Sequence, residues 1–451
     1  MASKRDLVEA HGYNRRRLIS AFVSGAPRGR DVEGISRSRP VIAGIAASVL
    51  LIGGTAIAGM LTSPLDGGWA DAHVVIAKQS AARYVSEKGT LYPVVNATSA
   101  RLMLPAAAGF PVIVVDDDKI ASTPKGPARG ILGAPDDLPP AGSLIESGWV
   151  SCLVGDKTVT SLRRQPMAAP ERLPATMVTS GETHWLVVGG ARYAVPVDKV
   201  GAVRRQLQID DADTATVPGP WLDLLPQGGP LTLTIDKLGG ELSPAYLMGG
   251  KIRKIGQVVR DAGNPTSQFL VVADGTVPLT PFAAALYRAF EPDLANVVTV
   301  TGSDLAAVPT SKGSARVYPS SWPDAMPVSA KGIPCVTLAT GAVDSPATAS
   351  FVTVPSDSVW VKGAATFVEP GAGALVRVTA AGSPSGPVFV IDQSGRKFAV
   401  LDPSEETLAR LGYAGQRPRT LPGAWILLFP SGPALSEQAA LAAPAPAVVG
   451  P

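Results

Sequence analysis

The chain is predicted to be an α+β protein with a single membrane-spanning helix and a large, internally repeated region on the far side of the membrane. Three observations predict this. An uncharged apolar run stands behind a basic leader. Hairpin signals recur along the rest of the chain. Gly and Pro number 47 and 42 of 451 residues, which favours many turns and short elements over long helices.

The span comes first. Residues 41–61 read VIAGIAASVLLIGGTAIAGML, 21 residues without a charge. At about 1.5 Å per residue such a helix matches a hydrocarbon core of about 30 Å, and its hydrogen bonds are all internal. The run is longer, and its leader longer, than a cleaved signal peptide has. The flanks also argue against a buried core helix. Residues 1–40 carry nine Lys or Arg, whereas residues 62–82 carry only Lys78. The positive-inside rule then places the N-terminus in the cytoplasm and everything after Leu61 outside the inner membrane. Within the leader, Lys4 to Val23 has a helical period through Leu7, His11, Asn14, Leu18 and Phe22. It reads equally as a helix lying on anionic lipid or as a docking helix for a cytosolic partner.

Beyond the span, four segments place apolar residues around a Gly-containing turn: 83–94, 185–196, 269–279 and 389–401. Each is followed by a short helical stretch. The repeat units lie at about 72–105, 176–230, 260–292 and 386–430. Trp221-Leu-Asp-Leu-Leu-Pro226 and Trp425-Ile-Leu-Leu-Phe-Pro430 lie 204 residues apart, and Gly228 and Gly432 keep the same offset. The outer region, 62–433, therefore reads as two similar halves related by a pseudo-twofold duplication, each with two hairpin–helix units. One such unit buries little surface alone. A central β-rich domain, about 106–175 plus 293–385, is expected to receive all four. The tail, 434–451, is Ala/Pro-rich and expected to be disordered.

The two cysteines, Cys152 and Cys335, are 183 residues apart, near the repeat offset, and both fall on the oxidising side of the span. A disulfide joining the halves is the favoured reading, with two buried free thiols as the alternative.

Chemistry is sparse. His11, His73 and His184 show no metal-ligand spacing, so no metal site is expected. Ala245-Tyr-Leu-Met-Gly-Gly-Lys251 lacks the first Gly and the hydroxyl of a phosphate-binding loop and reads as a turn. Gly371-Ala-Gly373 starts a dinucleotide-like pattern but is also best read as a turn. Asp116-Asp117-Asp118 could bind a cation but reads as a solvated loop. Asp136-Asp137, between Pro135 and Pro139, reads as turn chemistry rather than an acid/base pair. With no catalytic or cofactor-binding constellation, the expectation leans away from an enzyme. A net charge of +3 excludes nucleic-acid binding by charge alone.

Taken together these residues resemble the EccB family, the membrane-anchored component of actinobacterial type VII (ESX) secretion systems. The resemblance runs from Lys4 to about Pro433. It is carried by Tyr13-Asn-Arg-Arg-Arg-Leu-Ile-Ser-Ala21, the span, Ala82-Arg-Tyr-Val85 and Leu91-Tyr-Pro-Val-Val-Asn96. Most specific are Pro124-Lys-Gly-Pro127, Gly130-Ile-Leu-Gly-Ala-Pro-Asp136 and Leu138-Pro139, together with the paired cysteines. The resemblance implies an elongated periplasmic domain of four repeats around a centre, closed by a Cys152–Cys335 disulfide. It implies partners of the EccC ATPase, EccD and EccE types, paired copies within a hexameric complex, and export of WXG100-type substrates. It also raises the docking reading of the N-terminal helix above the lipid one. Some family members are described as ATPases, so ATP as a cofactor enters only by that attribution. The family's likeness to cell-wall-binding modules makes peptidoglycan contact a further alternative.

Overall fold

The computed structural model describes residues 10–15, 18–19, 68–121, 123–167, 170–209, 215–312, 317–340, 345–357, 365–379 and 385–445. The chain divides into two compact units, Met1–Pro64 and Leu65–Pro451. In the first, residues 10–15 and 18–19 are helical, with Tyr13, Leu18 and Ile19 exposed. The expected span at 41–61 lies outside the described residues. Among the described residues no helix is long and apolar enough to cross a membrane.

The second unit is built of five sheets, and four of them share one topology. The first contains β1 (Val74–Ala77), β2 (Arg83–Glu87) and β3 (Thr90–Pro93) as an antiparallel meander, then helix α1 (Ala97–Met103). A return strand, β4 (Val112–Val115), runs parallel to β1 and gives the order β3-β2-β1-β4; the short helix α2 (Asp117–Ala121) follows. The reasons are local. Lys88 and Gly89 both have positive φ, as the tight two-residue hairpin turn demands. Asn96 then starts α1 by accepting the Ser99 amide.

Two strands of the central sheet come next, β5 (Trp149–Val154) and β6 (Lys157–Leu162). The second β-unit follows: β7 (Pro174–Ser180), β8 (Thr183–Val188), β9 (Ala191–Val195), α3 (Val200–Leu207), β10 (Ala215–Thr216) and α4 (Gly219–Leu222). The third has β11 (Val258–Asp261), β12 (Asn264–Val272), β13 (Gly275–Leu279), α5 (Pro281–Phe290), β14 (Val297–Val300) and α6 (Gly302–Ala306). In each the return strand again pairs parallel to the first strand. A short strand, β15 (Val328–Ser329), adds to β7.

The chain then re-enters the central sheet through β16 (Ile333–Ala339), β17 (Thr348–Val354) and β18 (Thr366–Val368), completing the order β17-β16-β5-β6-β18. The fourth β-unit closes the chain with β19 (Ala374–Thr379), β20 (Val388–Ile391), β21 (Lys397–Val400), α7 (Glu405–Arg410), β22 (Arg419–Pro422) and α8 (Gly423–Ile426).

The structure redraws two boundaries expected from sequence. The stretches 106–175 and 293–385, assigned there to the centre, also contain β4, β14 and β19 and the first two residues of β7, and all four strands belong to the surrounding units. A parallel partner some 40 residues away leaves no local pattern, so a return strand reads as an independent strand. The tail is also not uniformly disordered. Leu435 is buried and pairs with Val400. Helix α9 (Glu437–Leu441) is capped by Ser436 and buries Ala440. Small alanines let this helix lie close against α1, so the composition that suggested disorder serves packing. Residues 446–451 lie outside the described residues.

The β-units associate through their helices. Helices α3 and α5 pack against each other, whereas α1 packs chiefly on α9 and to a lesser extent on α7. One of the two main core clusters lies between the central sheet and the second and fourth units, and the other joins the second and third units.

Candidate functional site

The chemistry-bearing residues converge on the central sheet and on the seam between the first and fourth units. On one face of the sheet three fully buried tryptophans meet. Trp149 comes from β5, Trp221 from α4 and Trp425 from α8. Trp425 stands edge-on to Trp149 with centroids 6.5 Å apart, and Phe429 does so at 5.7 Å. The Trp221 indole donates to the Ser151 carbonyl at 3.2 Å, and the Trp425 indole to the Leu224 carbonyl at 3.4 Å. The residues 204 apart in sequence are thus the anchors that fix the second and fourth units to the centre.

A further device sits behind each anchor. The Pro-x-Gly segments after α2, α4 and α8 pair with the third strand of their unit. They press Gly126, Gly228 and Gly432 onto the rings of Tyr92, Tyr193 and Phe398. A Cβ on any of the three glycines would stand 2.1–2.2 Å from the ring. In the third unit, where Val277 replaces the aromatic residue, Ser311 takes the glycine's place. The glycines are therefore required by close approach rather than by backbone conformation.

On the opposite face, Cys152 and Cys335 are direct cross-strand partners of β5 and β16 and are joined by a disulfide. Val150, Val352 and Val354 surround them, all buried. Alongside lies an open groove of about 620 Å³, lined by Val150, Arg163, Arg164, Met167, Phe367 and Glu369. Both the Arg164 amide and its guanidinium donate to Glu369, at 2.8 and 2.5 Å. These bonds hold the Glu369 carboxyl below the usual carboxylate range. The Arg163 guanidinium stands 5.7 Å from the Phe367 ring centre. The groove thus carries a carboxylate already spent on an arginine rather than one poised as a base.

The residues weighed from sequence have structural roles. Asp117 accepts the Gln79 and Ser80 amides at 3.0 and 3.1 Å, and Ser80 and Gln79 lower its pKa. Asp116 pairs with Lys78. Asp136 accepts the Ala97 amide at the start of α1 and pairs with Arg83. Burial raises the Asp137 carboxyl, and Arg101 opposes the shift. Lys251 reaches the Thr299 carbonyl at 3.5 Å. Gly371 is a turn glycine with φ +69, and Gly373 lies against the Ile391 carbonyl. His11 is exposed on the N-terminal helix, His73 bonds to the Asp71 carbonyl and His184 lies on β8. Among the described residues no three His, Cys, Asp or Glu side chains converge as metal ligands.

Sequence reasoning missed the seam between the first and fourth units. Arg410, largely buried, donates to the Leu102 carbonyl at 2.9 Å and pairs with Glu406 and Glu437 at 3.1 and 2.9 Å. Glu406 also accepts the Ala106 amide at 3.0 Å, and that bond, then Arg410, depresses its pKa. The Tyr413 hydroxyl donates to the Pro139 carbonyl at 3.0 Å, and burial pushes its pKa up. An i,i+4 Glu–Arg pair on α7 was the one available signal.

Comparison with known proteins places this architecture. The model of the family described as type VII secretion system ESX-1, transport TM domain B, matches residues 1–446. The ESX-2 secretion system ATPase EccB2 of Mycobacterium tuberculosis (strain H37Rv) is 26% identical across 98% of this chain and 95% of that protein. The ESX-3 secretion system ATPase EccB3 of Mycolicibacterium smegmatis is 27% identical, across 90% and 84%. A chain of an intact ESX-5 inner membrane complex shares the fold with TM-score 0.63 at 22% identity, over 100% of this chain and 98% of that one. A chain of the EccB3 dimer from the ESX-3 core complex does so with TM-score 0.64 at 24% identity, over 82% and 100%.

Proposed function

The chain belongs to the EccB family of type VII secretion proteins, and from that premise we propose that it is a scaffold subunit of an ESX inner-membrane complex. In this reading it spans the membrane once at 41–61, keeps residues 1–40 in the cytoplasm and organises the outer side for export of WXG100-type substrates. Its copies pair within a hexameric assembly and meet EccC-, EccD- and EccE-type subunits. The observation that carries the reading is the family match over residues 1–446, which takes in the basic leader, the apolar run and the outer region. The structure supports it physically. The buried tryptophans join the second and fourth β-units to the centre, Arg410 joins the fourth unit to the first, and the disulfide joins the two chain segments that make up the central sheet, which is how a rigid spacer is made.

The test is affinity purification of the tagged full-length protein from gently solubilised membranes, followed by mass spectrometry. Recovery with a multidomain ATPase and a polytopic membrane protein supports the proposal. Recovery alone, in a detergent shown to preserve known complexes, opposes it. A second reading, ATP hydrolysis, is favoured by the names of the relatives. It requires turnover by the purified chain that a single substitution abolishes without unfolding it.

A further inference from the structure

An unpaired strand edge exposes a row of N–H and C=O groups, and proteins protect such edges with charge, proline, brevity or cover. The four return strands permit a direct comparison. β10 has only two residues. β14 is protected by two cations: Lys251 reaches the Thr299 carbonyl at 3.5 Å and Arg260 the Thr299 hydroxyl at 3.0 Å. β22 begins with Arg419, paired with Glu146, and ends in Pro422. β4 reads Val112-Ile-Val-Val115, with neither charge nor proline.

The ladder decides which groups of β4 face outward. The Val74 amide bonds to the Pro111 carbonyl and the Lys78 amide to the Val115 carbonyl, both at 2.8 Å. Positions 111, 113 and 115 therefore face β1, and the N–H and C=O of Val112 and Val114 point away from the sheet. Among the described residues nothing accepts or donates to them. Val114 is 39% exposed.

We propose that β4 is a self-pairing edge: in the membrane, the strand of one copy joins that of a second copy antiparallel across a twofold axis. The inference deepens the reading above, which already has copies pairing, by naming the surface. A twofold interface must be self-complementary, and the alternation selects one central register. Val112 of each copy lies opposite Val114 of the other, exchanging main-chain hydrogen bonds, and Ile113 lies on the axis. Charge favours the same arrangement. The acidic run Asp116–Asp118 closes the C-terminal end of β4, so a parallel pairing would set two such runs side by side. The antiparallel register instead brings Asp116 opposite Phe110, over whose ring the Arg101 guanidinium stands at 4.3 Å. The solved EccB3 relative, whose whole chain matches, is a dimer.

The experiment uses the full-length protein in membranes and in mild detergent. Ile113→Cys should give a disulfide-linked dimer under oxidation, since the axis pair is non-hydrogen-bonded and its Cα atoms fall within disulfide reach. Val114→Pro removes an outward N–H without touching the bond to β1. It should weaken dimerisation by at least about tenfold, two interface hydrogen bonds being lost per dimer. A second variant, Val114→Lys, should do the same by charge, and an unchanged melting temperature for both shows that the fold survives. A wild-type chain that is monomeric in membranes, an Ile113→Cys variant that never cross-links, or a dimer indifferent to both Val114 substitutions overturns the proposal. The two readings fail separately. Co-purification with the secretion assembly but no cross-link sinks only the β4 edge, whereas a cross-linked dimer recovered with no other subunit sinks only the scaffold.

Discussion

Replacing both Cys152 and Cys335 with alanine should remove the largest single covalent constraint on the unfolded chain. The bond closes a loop of 183 residues. In the chain-entropy model, such a loop costs the unfolded state about 18 cal/mol/K, or about 5 kcal/mol at 25 °C. Loss of two buried sulfurs from the cluster of Val150, Val352 and Val354 adds about 1–2 kcal/mol. Alanine is preferred to serine because a hydroxyl there would be buried among valines without a partner. Urea unfolding of the segment from Leu65 onward, followed by tryptophan fluorescence, is the assay. Trp149 shares β5 with Cys152, Trp221 bonds to the neighbouring Ser151 carbonyl and Trp425 packs on Trp149, so all three report unfolding of the sheet that the bond holds. A difference below about 2 kcal/mol between the parent and the double variant refutes the entropy argument, and would mean that the unfolded chain is already held together by other contacts.

Three further outcomes follow from the packing. Gly228→Ala and Gly432→Ala should each destabilise by about 2 kcal/mol through the clash with Tyr193 and Phe398, whereas Ser311→Ala stays within about 1 kcal/mol, as thermal denaturation will show. Arg410→Met should cost about 2 kcal/mol, its acidic partners being half exposed, and should raise hydrogen exchange in α1 while leaving α3 and α5 protected. On acidification stability should fall. Asp117, Glu369 and Glu406 have depressed folded-state pKa values, so their contribution is complete above the unfolded value and lost as pH drops through the lower folded one. Asp137, raised by burial, acts with the opposite sign and recovers only part of the loss. A melting temperature that is flat or rising between about pH 5 and pH 3 contradicts this.

What was legible in the chain was whatever short-range chemistry marks. The four hairpins announced themselves because alternation and a turn glycine act within a dozen residues, as at Lys88-Gly89. Helix starts at Asn96, Thr280 and Ser404 are likewise local. The offset of Trp221 and Trp425 pointed to equivalent roles, and the spacing of Cys152 and Cys335 pointed to a bond, although neither said which surfaces would meet. Tertiary structure alone decided the rest. Pairing of β4 with β1 and of β14 with β11 depends on backbone groups that every sequence carries, so side-chain pattern cannot announce it. The seam at Arg410 joins residues about 300 apart, and no periodicity spans that distance. The alanine-rich tail shows the same division: its composition permits disorder, and only the close approach of α1 gives Ala440 a surface on which to be buried.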